Sequence, residues 1–135
     1  MESISALFNS HPQRPPDPAL LEDCASACYE CGSLCTLCSD ACLGEDGVAE
    51  FVCCIRTCLD CSDVCLASAR IVSRLTDASP MMVEAQLMAC AEACQACATA
   101  CERHAATHEH CHLCVEACRR CEQACRALLH GAFIG

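Results

Sequence analysis

Aromatic residues are nearly missing from this chain of 135 residues, which has no Trp, one Tyr and three Phe. Such side chains dominate the buried area of ordinary cores, so a core of the usual kind is excluded. Positive charge is scarce too: eight basic residues face eighteen acidic ones, for a net charge of −10. That balance excludes the basic stripe of a nucleic-acid binder and suits a soluble protein that handles cations. No run of 18 or more apolar residues occurs, so no membrane-spanning helix is expected. The N-terminal stretch MESISALFNSHPQRPP has neither a basic n-region nor a long apolar h-region, which does not read as a secretory signal. The expected location is therefore the cytoplasm, where thiols stay reduced. No nucleophile–base pair, phosphate loop or open catalytic metal site emerges, so no enzymatic activity is expected.

Cysteine stands where the large hydrophobes are missing, at 20 of 135 residues. Its spacing is informative. From Cys24 to Cys42, CASACYECGSLCTLCSDAC steps by 4, 3, 4, 3 and 4 residues. That is the rhythm of a helix seam, with thiols where a bundle would place leucine. Zinc fingers instead separate close cysteine pairs by a long gap. A disulfide scaffold conflicts with the reducing compartment, and cysteines at i,i+3 and i,i+4 on one helix face each other poorly for a disulfide.

Four segments carry this pattern. Asp17-Pro18 offers a cap and a proline start for a first helix to about Leu43, bearing Cys24, Cys28, Cys31, Cys35, Cys38 and Cys42. After the turn at 44–47, a second helix is expected from about Val48 to Leu75 with Cys54, Cys58, Cys61 and Cys65, and with Cys53 one step off the seam. Ser79-Pro80 starts a third, to about His104, with Cys90, Cys94, Cys97 and Cys101. Past a weak turn at 105–109, the fourth carries Cys111, Cys114, Cys118, Cys121 and Cys125 to about Leu129. Residues 1–16 form an arm with Ile4, Leu7 and Phe8 at helical spacing, and residues 131–135 a tail. The predicted fold is all-α, an antiparallel up-down-up-down four-helix bundle over residues 17–130. Its cysteine-lined core would be a column about 27 Å long at 1.5 Å per residue.

The ends of that column differ. Leu21, Val72, Leu75, Val83, Leu87 and Leu128 extend the seams at the end bearing the termini, which plugs it with aliphatics. At the other end the third seam continues as His104 and His108, candidate ligands at an open mouth. His110 and His112 lie near the mouth but off the seam, and exposure is expected for both. Met81, Met82 and Met88 are expected to pack in the plugged half rather than to ligate. A second stripe on helix two, Val48, Val52, Ile55, Leu59 and Leu66, either widens the core, receives the arm or forms a subunit interface.

Charge selects among metals. Four thiolates around Zn²⁺ leave −2 per site, about −10 over five sites in one narrow core. Cu(I) accepts few thiolates, and if each thiolate bridges two ions the core is neutral at one ion per cysteine. The i,i+4 pairs could flank single ions. Iron–sulfur clusters need separate four-cysteine nests, which a continuous seam does not mark off. A zinc or mixed-metal thiolate buffer and an iron–sulfur electron-transfer protein remain the alternatives.

The repeated CxxxC and CxxC on four helices, without a signal peptide and with histidines at the open end, resembles the bacterial cytosolic copper storage proteins across residues 17–130. The resemblance implies a bundle whose core fills with several Cu(I) ions per chain. It implies that all twenty cysteines are ligands, Cys53 included, with His104 and His108 admitting the metal. It also implies association as homotetramers, with copper ions as the partner; on charge and hydropathy neither nucleic acid nor a membrane is expected as a partner.

Overall fold

The computed structural model describes residues 2–131. Five α-helices follow one another: α1 (Glu2–Ser10), α2 (Pro18–Leu43), α3 (Val52–Val72), α4 (Pro80–Ala105) and α5 (Glu109–His130). Among the described residues α2 packs on α3 and α5, α4 packs on α3 and α5, and the diagonal pairs meet only through side chains across the core, as where Cys28 lies 3.9 Å from Cys90. The four long helices thus form a square up-down-up-down bundle, as the short connections dictate. Residues 132–135 of the expected tail lie outside the described residues.

The cysteine seams face inward because their 3/4 spacing keeps them on one side of each helix. Nineteen cysteines are buried. Small residues flank them, including Ala25, Ala69, Ala91, Ala98 and Ala117, all buried. They let the helices approach closely. At the α2–α3 contact a Cβ on Gly32 would lie 2.6 Å from Leu66 Cγ. There Ser62 Oγ donates to the Gly32 carbonyl at 2.8 Å. No buried side-chain nitrogen or oxygen lacks a partner among the described residues, so the polar atoms in this close-packed interior carry no desolvation penalty of an unmade bond. Arg119 with Glu102 and Arg120 with Glu30 tie α5 to α4 and α2 from outside. These exposed pairs add little stability.

The expected second helix is divided. Gly47 adopts φ 70°, a left-handed conformation that glycine takes without steric penalty. It leads into a 3₁₀ turn at Val48–Phe51 before α3 begins. At the far end α3 stops at Val72, and Leu75 lies beyond it in a turn where Asp77 has φ 54°. Leu75 still packs on the core, and Leu21, Val72, Val83, Leu87 and Leu128 are buried, so the aliphatic plug forms. The arm is helical and lies at this closed end, where Ile4, Phe8 and His11 line a groove with Tyr29, Ser73 and Leu75.

The arm does not cover the second stripe of α3, where Val52 and Leu59 are 61% and 47% exposed. Ile55 and Leu66 of the same stripe are half-buried. Met81, Met82 and Met88 are exposed rather than packed. They sit on the outer face of α4, turned away from the plug made by Val83 and Leu87 on that helix.

Candidate metal centre

The nineteen buried cysteines bring their sulfurs into one connected column. Within helices, Cys24 and Cys28 lie 4.0 Å apart and Cys31 and Cys35 3.8 Å apart. Between helices, Cys28 reaches Cys121 at 3.6 Å, Cys35 reaches Cys114 at 3.7 Å and Cys65 reaches Cys94 at 3.6 Å. Metal–thiolate bonds of about 2.3 Å put two sulfurs about 3.8–4.6 Å apart between tetrahedral and linear geometry. The column therefore needs only small adjustments to admit ions between its sulfurs.

The sulfurs do not divide into separate nests. Groups of four whose sulfurs all lie within 4.8 Å of one another include Cys28, Cys90, Cys121 and Cys125, and also Cys31, Cys65, Cys94 and Cys121. Others are Cys31, Cys35, Cys61 and Cys118, and Cys35, Cys97, Cys114 and Cys118. Cys31, Cys35, Cys118 and Cys121 each belong to two of these groups. A sulfur shared by two groups is placed to bridge, which suits a chain of ions joined by thiolates better than isolated clusters.

Cys53 lies outside the column and is exposed. One residue advances an α-helix by about 100°, so with Cys54 buried among sulfurs, Cys53 turns to the outer surface. The resemblance had included it among the core ligands; geometry places it apart from them.

At the mouth three of the seams continue by steps of three or four residues beyond their last cysteine. From Cys42 the step leads to Glu45, from Cys54 to Phe51, and from Cys101 to His104 and on to His108. These residues assemble into a single layer. Phe51 is buried and stacks on His104, with ring centroids 4.2 Å apart and planes at 27°. His108 meets Phe51 edge-on at 5.0 Å. It precedes α5, where its backbone N–H donates to the His104 carbonyl at 2.9 Å. His104 and His108 are half-buried.

Below this layer sits His110, which sequence reasoning expected to be exposed. It is half-buried, with Nδ1 3.4 Å from Cys38 Sγ and 3.5 Å from Cys111 Sγ. On the other side of the ring, Nε2 lies 2.9 Å from Glu45 Oε2. The same carboxylate oxygen is 3.7 Å from His108 Nε2. His110 is the second residue of α5, and side chains on a helix lean toward its N-terminus. The ring is thereby carried over the end of the column instead of out to solvent. His112 is exposed and pairs with Glu116, as expected of it.

The electrostatics follow from this packing. Burial, followed by the like charge of Cys38 and Cys54, pushes Cys42 and Cys111 well above the ordinary thiol range. These thiols keep their protons until a cation replaces them. At the closed end, hydrogen bonding from Cys125 and then Cys28 holds Cys24 down to about 5 against burial. Burial disfavours the charged form of His110, but hydrogen bonds to Cys38 and Glu45 outweigh it and raise its pKa. The hydrogen bond from His110 lowers that of Glu45.

Comparison with known proteins agrees with this site. No curated protein sequence matches the chain. Among solved structures, the copper storage protein Ccsp from Streptomyces lividans loaded with 10 copper equivalents is similar, with a TM-score of 0.91 and 45% identity. That match covers 95% of this chain and 98% of the other. A second structure, of copper loading to a cytosolic copper storage protein from Streptomyces lividans with five coppers, has a TM-score of 0.81 at 50% identity. It covers 83% of this chain and 93% of that one. The chain also matches the copper storage protein family model over residues 18–130. This is the whole of the bundle that carries the thiol column, and the chain belongs to the copper storage protein family.

Proposed function

We propose that this protein is a cytosolic store that sequesters Cu(I) on its core thiolates, with no catalytic turnover. The observation that carries this reading is the continuity of the column, in which single sulfurs belong to two four-sulfur groups. Bridging thiolates let a monovalent soft ion fill the interior at about one ion per sulfur while the core stays neutral. Zn²⁺ at four thiolates per site would leave uncompensated negative charge along the column. The Streptomyces lividans relatives, one structure with five coppers and one loaded with 10 copper equivalents, support the same cargo.

In this reading the nineteen buried cysteines are the ligands. His110 joins them at the mouth through Nδ1, while His104 and His108 receive ions in the layer above. Cys53 takes no part in the core. Titration of reduced apo-protein with Cu(I) against a competing chelator tests the reading. Saturation is expected at roughly 19 ions per chain, one per buried bridging thiolate. Saturation near five would mean separate four-cysteine sites and would reject a continuous column.

We also propose that the chain assembles as a homotetramer. The family resemblance supports this, as does the uncovered stripe bearing Val52 and Leu59 on α3. Sedimentation velocity is expected to give four times the chain mass, and a Val52→Asp/Leu59→Asp variant a smaller species.

A further inference from the structure

We infer that Glu45 is the positioning residue of the mouth, holding the His110 ring so that the Nδ1 lone pair faces the first sulfurs of the column. The inference rests on His110 being a mouth ligand, as read above, and adds what makes it one.

The argument begins with donors and acceptors. An ionised carboxylate can only accept hydrogen bonds. With Glu45 Oε2 2.9 Å from His110 Nε2, the proton of the neutral imidazole must sit on Nε2. Nδ1 is then the unprotonated nitrogen of the neutral ring, an acceptor for the thiols of Cys38 at 3.4 Å and Cys111 at 3.5 Å, and its lone pair passes to a cation that displaces the thiol proton. Cu(I) arriving at those sulfurs finds the nitrogen already in the ligating form.

The three groups come from separate elements. Cys38 belongs to α2, Glu45 to the turn after it, and His110 to the first turn of α5. The carboxylate thus also pins the start of α5 across the mouth to the end of α2. Its second approach, 3.7 Å to His108 Nε2, places one anionic group between the outer and the inner histidine, on the path a cation would follow. Carboxylates behind metal-binding histidines commonly fix ring orientation and tautomer, and their loss lowers affinity or activity about 10–100-fold.

The test uses full-length reduced protein. In the apo state, nitrogen-detected NMR of labelled histidine should show His110 protonated at Nε2, with a slowly exchanging imidazole proton that Glu45→Ala abolishes. In stopped-flow loading with the first equivalents of Cu(I), Glu45→Ala should slow uptake about tenfold or more. Glu45→Gln, whose side-chain carbonyl can still accept the Nε2 proton, should restore part of the rate. Glu45→Ala combined with His110→Ala should load no more slowly than His110→Ala alone, because Glu45 acts through His110. An Nδ1-protonated ring in the wild type, additive losses in the double variant, or wild-type loading by Glu45→Ala beside a slow His110→Ala would overturn this inference alone. Wild-type loading by His110→Ala would overturn the ligand reading of His110 and this inference with it.

Discussion

In the proposed reading, His104 and His108 form the outermost part of the metal path. Phe51 holds both, stacking on one and meeting the other edge-on. Neutral imidazole binds copper less strongly than thiolate does, so these rings can accept an ion and release it to the sulfurs below. Replacing both by alanine is expected to slow loading and removal while leaving capacity almost unchanged, since every core thiol remains. Stopped-flow uptake beside an equilibrium titration separates the two effects, and a large loss of capacity would make the pair structural ligands of the core. These two residues were legible in the sequence because they stand in register with Cys101. Phe51 and Glu45 stand in register too, each one step beyond a terminal cysteine. That was the signal for the rest of the layer, although neither residue type suggests a metal path when read alone. His110 was not legible. It stands one residue before Cys111, where a helical wheel turns it outward, and only its place in the first turn of α5 brings its ring over the column. Cys53 shows the converse, a cysteine by composition that the wheel removes from the core.

At the scale of the helix, two starts that look alike in the sequence differ in the structure. Asp17-Pro18 and Ser79-Pro80 both place a capping side chain before proline. Ser79 Oγ accepts from the Met82 N–H at 3.4 Å, whereas Asp17 makes no side-chain cap. Ser79 has extended backbone, with φ −89° and ψ 111°, which aims its hydroxyl at the first turn, while Asp17 has ψ 75°. Ser79→Ala is therefore expected to lower the stability of the apo-protein by about 0.5–1 kcal/mol, and Asp17→Ala by much less. Urea midpoints of the two variants at constant slope check this. Equal shifts would mean that both helices draw on proline and packing alone. Helix existence and order were legible because the 3/4 cysteine rhythm runs through all four segments. The start of α3 was not. Val48, Val52, Ile55 and Leu59 keep helical spacing straight through the 3₁₀ turn, and the seating of Phe51 under His104 is a tertiary contact that spacing does not encode.

For the whole molecule, the thiol column raises the question of what holds the bundle together before metal arrives. Each large aliphatic side chain fully buried contributes about 1.5–3 kcal/mol. Those that are buried, Leu21, Val72, Val83, Leu87 and Leu128, cluster at the closed end. Along the rest of the column, small alanines and the thiols themselves fill the space between the helices, and buried polar atoms are paired among the described residues. This is enough packing for a helical apo-protein, secured at the plug and more weakly held toward the mouth. Cu(I) bridging sulfurs from different helices binds only where the helices are together, so each ion stabilises the folded state by mass action. A single site at a thousandfold excess over its dissociation constant contributes about 4 kcal/mol, and a chain of this size gains roughly 2–8 °C in melting temperature per kcal/mol. The expected result is a helical apo-protein whose melting temperature rises by more than about 10 °C within the first equivalents and continues upward as the column fills. Removal of copper by a strong Cu(I) chelator should return the melt to its apo position. Circular dichroism melts of apo, partly loaded and fully loaded protein make the measurement. A random-coil apo spectrum would show that the metal, rather than the plug and the small-residue packing, creates the bundle.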